Sequence, residues 1–226
     1  MNRIDDLSVA RAYLKIKKYL YESGYFDEIE WQYGVSISQI NENSFLEEYA
    51  WVVLNTGMSE KIIRKIFPHI CSSFFHWSSV EEIVKQRDIC KDNALKHFNN
   101  KRKIEAIIET SNIIYEKKFD NFWEEIISND ITYLKHLPYI GPVTSYHLAK
   151  NIGFSVSKPD RHLVKLAKEL CYESTSNMCD TIYFLTDDPV NVIDLVLWRY
   201  STLRNDFYDI CIHYNSSNSS FLLDDL

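Results

Sequence analysis

Glycine and proline are scarce, with five of each in 226 residues. A β-sandwich or barrel needs a tight turn every few residues, so this scarcity argues against one and in favour of helices. Cysteine is sparse as well, at positions 71, 90, 171, 179 and 211, an odd count with no Cys-X-X-Cys pair. Such spacing offers neither a zinc-binding pair nor a dithiol redox motif, and it fits thiols that stay reduced. No apolar run reaches the length of a membrane span, and Met1-Asn2-Arg3-Ile4-Asp5-Asp6 lacks the apolar segment of a secretory leader. The expectation is a monomeric intracellular protein, cytoplasmic or nucleoid-associated, with no membrane partner.

An excess of positive charge is also missing, since the net charge is −7. That excludes a uniformly basic nucleic-acid binder, but the charge is unevenly spread. Residues 1–60 carry ten acids and five bases, and residues 180–226 carry eight acids and two bases. Between 85 and 103 the balance reverses to seven bases against Asp88 and Asp92, and residues 141–168 carry five bases against Asp160 alone. A polyanion responds to the local field more than to the total charge. Lysine-rich stretches are equally read as solvated helix faces, so charge alone leaves both readings open.

Hydrophobic residues at 46% and charged residues at 25% are enough for a buried core. Ser44 with Glu47 reads as a capping box that opens a helix at Phe45, and the run Tyr49 to Leu54 is apolar nearly all round, as in a buried helix. Gly57 ends that helix, and Ser59 caps another over Glu60 to Phe67. Ile104, Ile107, Ile108, Ile114 and Tyr115 follow helical spacing, as do Asn121 to Ile127, Leu163 to Leu170 and Val192 to Tyr200. No strand alternation or long repeat stands out, so the chain reads as all-α, with about ten helices at ordinary lengths. Residues 215–226, rich in Ser and Asn and then acidic, read as a flexible tail.

Three of the five prolines and two of the five glycines fall between Pro138 and Pro159. In Leu137-Pro138-Tyr139-Ile140-Gly141-Pro142-Val143-Thr144, Pro138 stops one helix and Gly141 permits a tight turn. Pro142 suits the first turn of a second helix, which Gly153 then ends. A helix N-terminus so presented offers free amides to phosphate, although a plain corner in a helical bundle has the same outline.

The run through Ser145 resembles the helix-hairpin-helix of the endonuclease III superfamily of DNA glycosylases, whose pattern is Leu-Pro-Gly-hydrophobic-Gly-Pro/hydrophilic-X-Thr-Ala. That superfamily follows its hairpin with a catalytic aspartate, and here Lys158-Pro159-Asp160-Arg161-His162-Leu163 stands at a similar interval. Phe45 to Ser59, Asn100-Lys101-Arg102-Lys103 and Leu197-Trp198-Arg199-Tyr200 are similar to further family segments, so the likeness spans roughly residues 40 to 205. The implied fold is two interlocked helical subdomains flanking a groove for DNA and the flipped base. Residues 45–135 would form the central subdomain, 136–153 the hairpin, and 1–44 with 154–214 the terminal-segment subdomain.

The resemblance implies excision of a damaged or modified base from double-stranded DNA, with Asp160 stabilising the oxocarbenium-like sugar and activating water. Asp160 also has the chemistry of an ordinary helix N-cap, and the two roles are compatible. Val143 stands where bifunctional members place a nucleophilic lysine; valine forms no Schiff base, so the implied enzyme is monofunctional and leaves an abasic site. Cys171, Cys179 and Cys211 cannot supply the four-cysteine cluster of some members, so no cofactor or metal is implied. Tyr139 replaces the first hairpin glycine, which implies an altered turn or a ring that reaches substrate. Backbone phosphates are assigned to Ile140, Gly141, Val143, Thr144, Lys158, Arg161, Lys101, Arg102 and Lys103. Tyr49, Trp51 and Tyr139 are the base-pocket candidates, with Glu47 and Glu48 able to bond a base edge, and Met58 or Phe98 is the wedge. His162 matches a family histidine and is read as structural. The alternatives are a glycosylase specialised for modified foreign DNA such as phage DNA, a non-catalytic hairpin module that only binds duplex, and a scaffold for a protein partner.

Overall fold

The computed structural model describes residues 4–216. Among them there is no strand, and thirteen α-helices account for most of the chain. The chain divides into two compact units: one is built from both chain ends, up to Val35 and from Gly153 onward, and the other is the intervening Ser36–Ile152. The first division therefore falls at 35/36 rather than at 44/45, and the hairpin belongs to the central unit.

The central unit begins with α3 (Glu42–Asn55). Its cap is not Ser44 but Asn41: the Ser44 amide donates to Asn41 Oδ1 at 3.0 Å, and the Asn41 amide donates to Ser44 Oγ at 2.9 Å. The box thus closes three residues earlier, which brings Glu42 into a first turn that favours negative charge. Gly57 follows α3 at a φ of +68°. Helix α4 (Glu60–Ser73) runs past the expected end at Phe67 and through Pro68. The hydrogen bond that Pro68 cannot donate is offset by burial of Ile70 and Cys71 beyond it. Next come α5 (Val80–Lys85), α6 (Arg87–His97), α7 (Lys101–Lys117), α8 (Phe119–Leu134) and α9 (Pro142–Asn151). Helix α3, buried on most sides, packs against α4, α7 and α9, and Phe45 meets the ring of Phe122 edge-on at 5.0 Å.

The terminal unit contains α1 (Asp6–Leu20), α2 (Phe26–Gly34), α10 (Arg161–Glu169), α11 (Thr175–Thr186), α12 (Val190–Leu203) and α13 (Phe207–Ser216). Helix α1 packs on α11, α12 and α13, so residues from the two chain ends share one core, including Val9, Tyr13, Ile16, Ile193 and Val196. The expected tail from 215 lies outside the described residues from 217 onward. Asn215 belongs to α13, and its side chain accepts from the Asp5 amide at 3.1 Å. No helix among the described residues is long and apolar enough to cross a membrane.

Candidate nucleic-acid interface and carboxylate site

Between α8 and α9 the chain turns through Leu137-Pro138-Tyr139-Ile140, with the Ile140 amide donating to the Leu137 carbonyl at 3.1 Å. Proline stands second and a positive φ, +62°, falls on the third residue, Tyr139, which is the pattern of a type II turn. That third position favours glycine. The tyrosine therefore keeps the left-handed backbone instead of altering the turn, at a cost of about 1 kcal/mol. Gly141 is the N-cap of α9, and its amide donates to Thr144 Oγ1 at 2.6 Å.

These internal bonds correct part of the expected phosphate set. The Ile140 and Gly141 amides and the Thr144 hydroxyl are engaged within the hairpin. The amides of Val143 and Thr144, in the first turn of α9, have no acceptor among the described residues. Tyr139 and Val143 are exposed, each at 42%.

Lys103 is a second correction. It is only 1% exposed and cannot reach a phosphate across solvent. Lys103 stands four residues before the buried Ile107 and so shares the inward face of α7. Its Nζ donates to the carbonyls of Leu54 at 2.7 Å and Thr56 at 2.6 Å, the end of α3. The same ammonium lies 5.6 Å from the Phe98 ring centroid and 5.7 Å from that of Tyr139. Desolvation lowers its pKa below the usual lysine range. Lys101 and Arg102 remain exposed. Arg102, His136, Pro138 and Tyr139 line a shallow depression of about 400 Å³ together with Glu105 and Glu109.

The expected pocket and wedge residues divide in the same way. Tyr49 is fully buried, and its hydroxyl lies 2.6 Å from the Pro138 carbonyl and 3.2 Å from that of Ala106; it holds the hairpin instead of gripping a base. Phe98, 7% exposed beneath the Lys103 ammonium, is a core ring and not a wedge, whereas Met58 is 39% exposed just after Gly57. Trp51 is half-buried, edge-on to Phe67 at 5.1 Å and covered by the Arg64 guanidinium at 5.3 Å.

In the terminal unit, Asp160 is the N-cap of α10. Its Oδ1 accepts from the amides of His162 at 2.9 Å and Leu163 at 3.1 Å, while Oδ2 has no partner among the described residues. Leu163, Leu166 and Ala167 bury one face of α10, leaving Arg161, Lys165 and Lys168 on the exposed face. Arg161 Nε approaches His162 Nε2 at 3.3 Å. The loop before Asp160 is anchored by the buried Asp194 of α12, whose Oδ1 accepts from the Lys158 amide at 2.6 Å.

Sequence reasoning passed over two groups, Asp194 and Asp188, and gave a third, Glu48, a different role. Asp194 stood inside a helix read only as apolar. Asp188 accepts from the hydroxyls of Tyr13 (2.6 Å) and Tyr33 and from Lys17 Nζ at 2.7 Å, which ties α1 and α2 to the start of α12. Burial followed by the Asp188 charge pushes the Tyr13 phenol well above its ordinary range. Glu48, suspected only of bonding a base edge, accepts from Asn151 Nδ2 at 2.8 Å, and burial pushes its carboxyl up to about 7. Among the described residues no group of three or more His, Cys, Asp or Glu side chains is placed to hold a metal ion.

No protein-family model matches the sequence, no curated protein matches it, and no solved structure matches the fold.

Proposed function

We propose that this chain is a monofunctional DNA glycosylase, hydrolysing the N-glycosidic bond of a damaged or modified base flipped out of duplex DNA. The observation that carries this reading is the state of Asp160: one carboxylate oxygen caps α10 and the other has no partner among the described residues. A carboxylate fixed through one oxygen keeps its orientation, and its free oxygen is available to an electron-deficient sugar and to the attacking water. Departure of the base builds positive charge on the sugar ring, which is the charge such a group stabilises. Asp194 restrains the loop through the Lys158 amide, and that rigidity lets the carboxylate act without reorganising.

Support for a duplex substrate comes from the hairpin. Two amides at the start of α9, without an acceptor among the described residues, suit a backbone phosphate and carry no sequence preference. Lys101, Arg102, Lys158 and Arg161 supply further positive charge for the backbone. Tyr139 and Trp51 are the aromatic residues proposed to grip the base, and Met58 is the residue proposed to fill the gap it leaves. Val143 offers no amine, so strand cleavage does not accompany excision.

The test is to incubate the protein with a panel of modified and phage DNAs and to identify released bases by mass spectrometry. Release of a free base with an intact abasic strand is the expected result, and Asp160→Asn should slow it by roughly 10²–10³-fold while duplex binding persists. Salt-dependent duplex binding without release from any substrate would instead identify a binding module, and absence of duplex affinity would leave the scaffold reading.

A further inference from the structure

The third position of the hairpin turn prefers glycine, yet Tyr139 occupies it at a φ of +62°. A strained conformation persists only where its surroundings hold it. The group that faces the Tyr139 ring is the Lys103 ammonium, 5.7 Å from its centroid. The cation is fixed on its other sides by the Leu54 and Thr56 carbonyls and by the Phe98 ring. No carboxylate is bonded to it among the described residues, so its charge is balanced by carbonyl dipoles at the C-terminal end of α3 and by the faces of two rings. Leu54 and Thr56 lead into the turn Asn55-Thr56-Gly57-Met58, where the Met58 amide donates back to the Asn55 carbonyl at 2.9 Å. One buried ammonium therefore touches that turn and the hairpin together.

We propose that Lys103 is a positioning residue whose ammonium holds Tyr139 in its left-handed conformation and locks the hairpin to the Asn55–Met58 turn. The two segments then present Tyr139 and Met58 to a nucleic acid as one rigid surface. The consequence for DNA rests on the glycosylase reading; the clamp itself does not. A lysine in a basic run next to a hairpin would ordinarily be taken for a phosphate contact. Here its charge is spent inward, and the salt dependence of binding belongs to its neighbours.

The test is a double-mutant cycle between Lys103→Met and Tyr139→Gly, measured by thermal unfolding without DNA and by affinity for an unmodified duplex at several salt concentrations. Glycine takes the left-handed conformation without strain and removes the ring, so it makes the clamp unnecessary. Lys103→Met is expected to lower the Tm by roughly 5 °C in the parent chain and by less than half as much in the Tyr139→Gly background. Duplex affinity should fall about fivefold in the parent with the salt slope unchanged, and should fall by less than twofold in the glycine background. Equal losses in both backgrounds would reduce Lys103 to core filler, and a slope lower by about one would make it a phosphate contact; either overturns the proposal. If Lys103→Met does not fold, Lys103→Gln, which keeps a donor for the carbonyls, is put through the same cycle and judged by the same outcomes. If the wild-type chain binds no duplex, the DNA reading fails while the unfolding cycle still decides the clamp.

Discussion

Two helix N-termini in this protein are finished in opposite ways. Helix α9 is capped from within by the neutral hydroxyl of Thr144, and two of its first-turn amides have no acceptor among the described residues. Helix α10 is capped by Asp160, whose Oδ1 takes two amides and places a negative charge at the positive end of the helix. The first can receive an anion, and the second already holds one. The same backbone feature thus leaves amide donors open in one unit and fixes a carboxylate in the other, and the capping residue decides which.

The strongest way to break the comparison is at Asp160. Asparagine caps as well as aspartate, so Asp160→Asn should leave the Tm within about 2 °C. Excision, measured in single turnovers, should fall by roughly 10²–10³, the usual loss when one electrostatic stabiliser is removed. At the hairpin the corresponding support is internal. Tyr49→Phe leaves the Pro138 carbonyl without its hydroxyl donor and should cost about 1–3 kcal/mol in denaturant unfolding, with no direct effect on the chemical step.

The far end of α9 sharpens the contrast through Glu48, bonded to Asn151. Its carboxyl is raised from an ordinary value of 4.5 to about 7, so the folded state favours the protonated form. Its contribution is therefore most favourable below pH 4.5, is lost as pH rises towards 7, and is constant above that. Glu48→Gln should match the wild type near pH 4 and exceed it by about 1–3 kcal/mol at pH 8, as read from unfolding curves at both pH values. The smallest effect is expected at Arg102, which is exposed and close to the hairpin. Arg102→Ala should weaken duplex binding a few-fold, lower the salt slope by roughly one and leave the Tm unchanged.

What could be read from the sequence was local. The stops at Gly57 and Gly153, with φ of +68° and +95°, and the placement of Pro142 in the first turn of α9 follow from turn chemistry within a few residues. The capping capacity of Asp160 was legible for the same reason. Lys103 was not, because its partners Leu54 and Thr56 lie 49 and 47 residues away, and nothing within the run Lys101-Arg102-Lys103 marks which lysine turns inward. Tyr49 was misassigned on the same grounds, since its hydroxyl meets a carbonyl 89 residues on. The continuation of α4 through Pro68 depends on tertiary burial, which overrides a local breaker.

The terminal unit draws its core from both chain ends, with α1 packed on α11, α12 and α13. During synthesis the central segment leaves the ribosome whole and can close on local contacts, while α1 must wait for helices made more than 150 residues later. The hairpin is thus complete before the unit that holds Asp160, and a nascent or truncated chain would carry the first without the second.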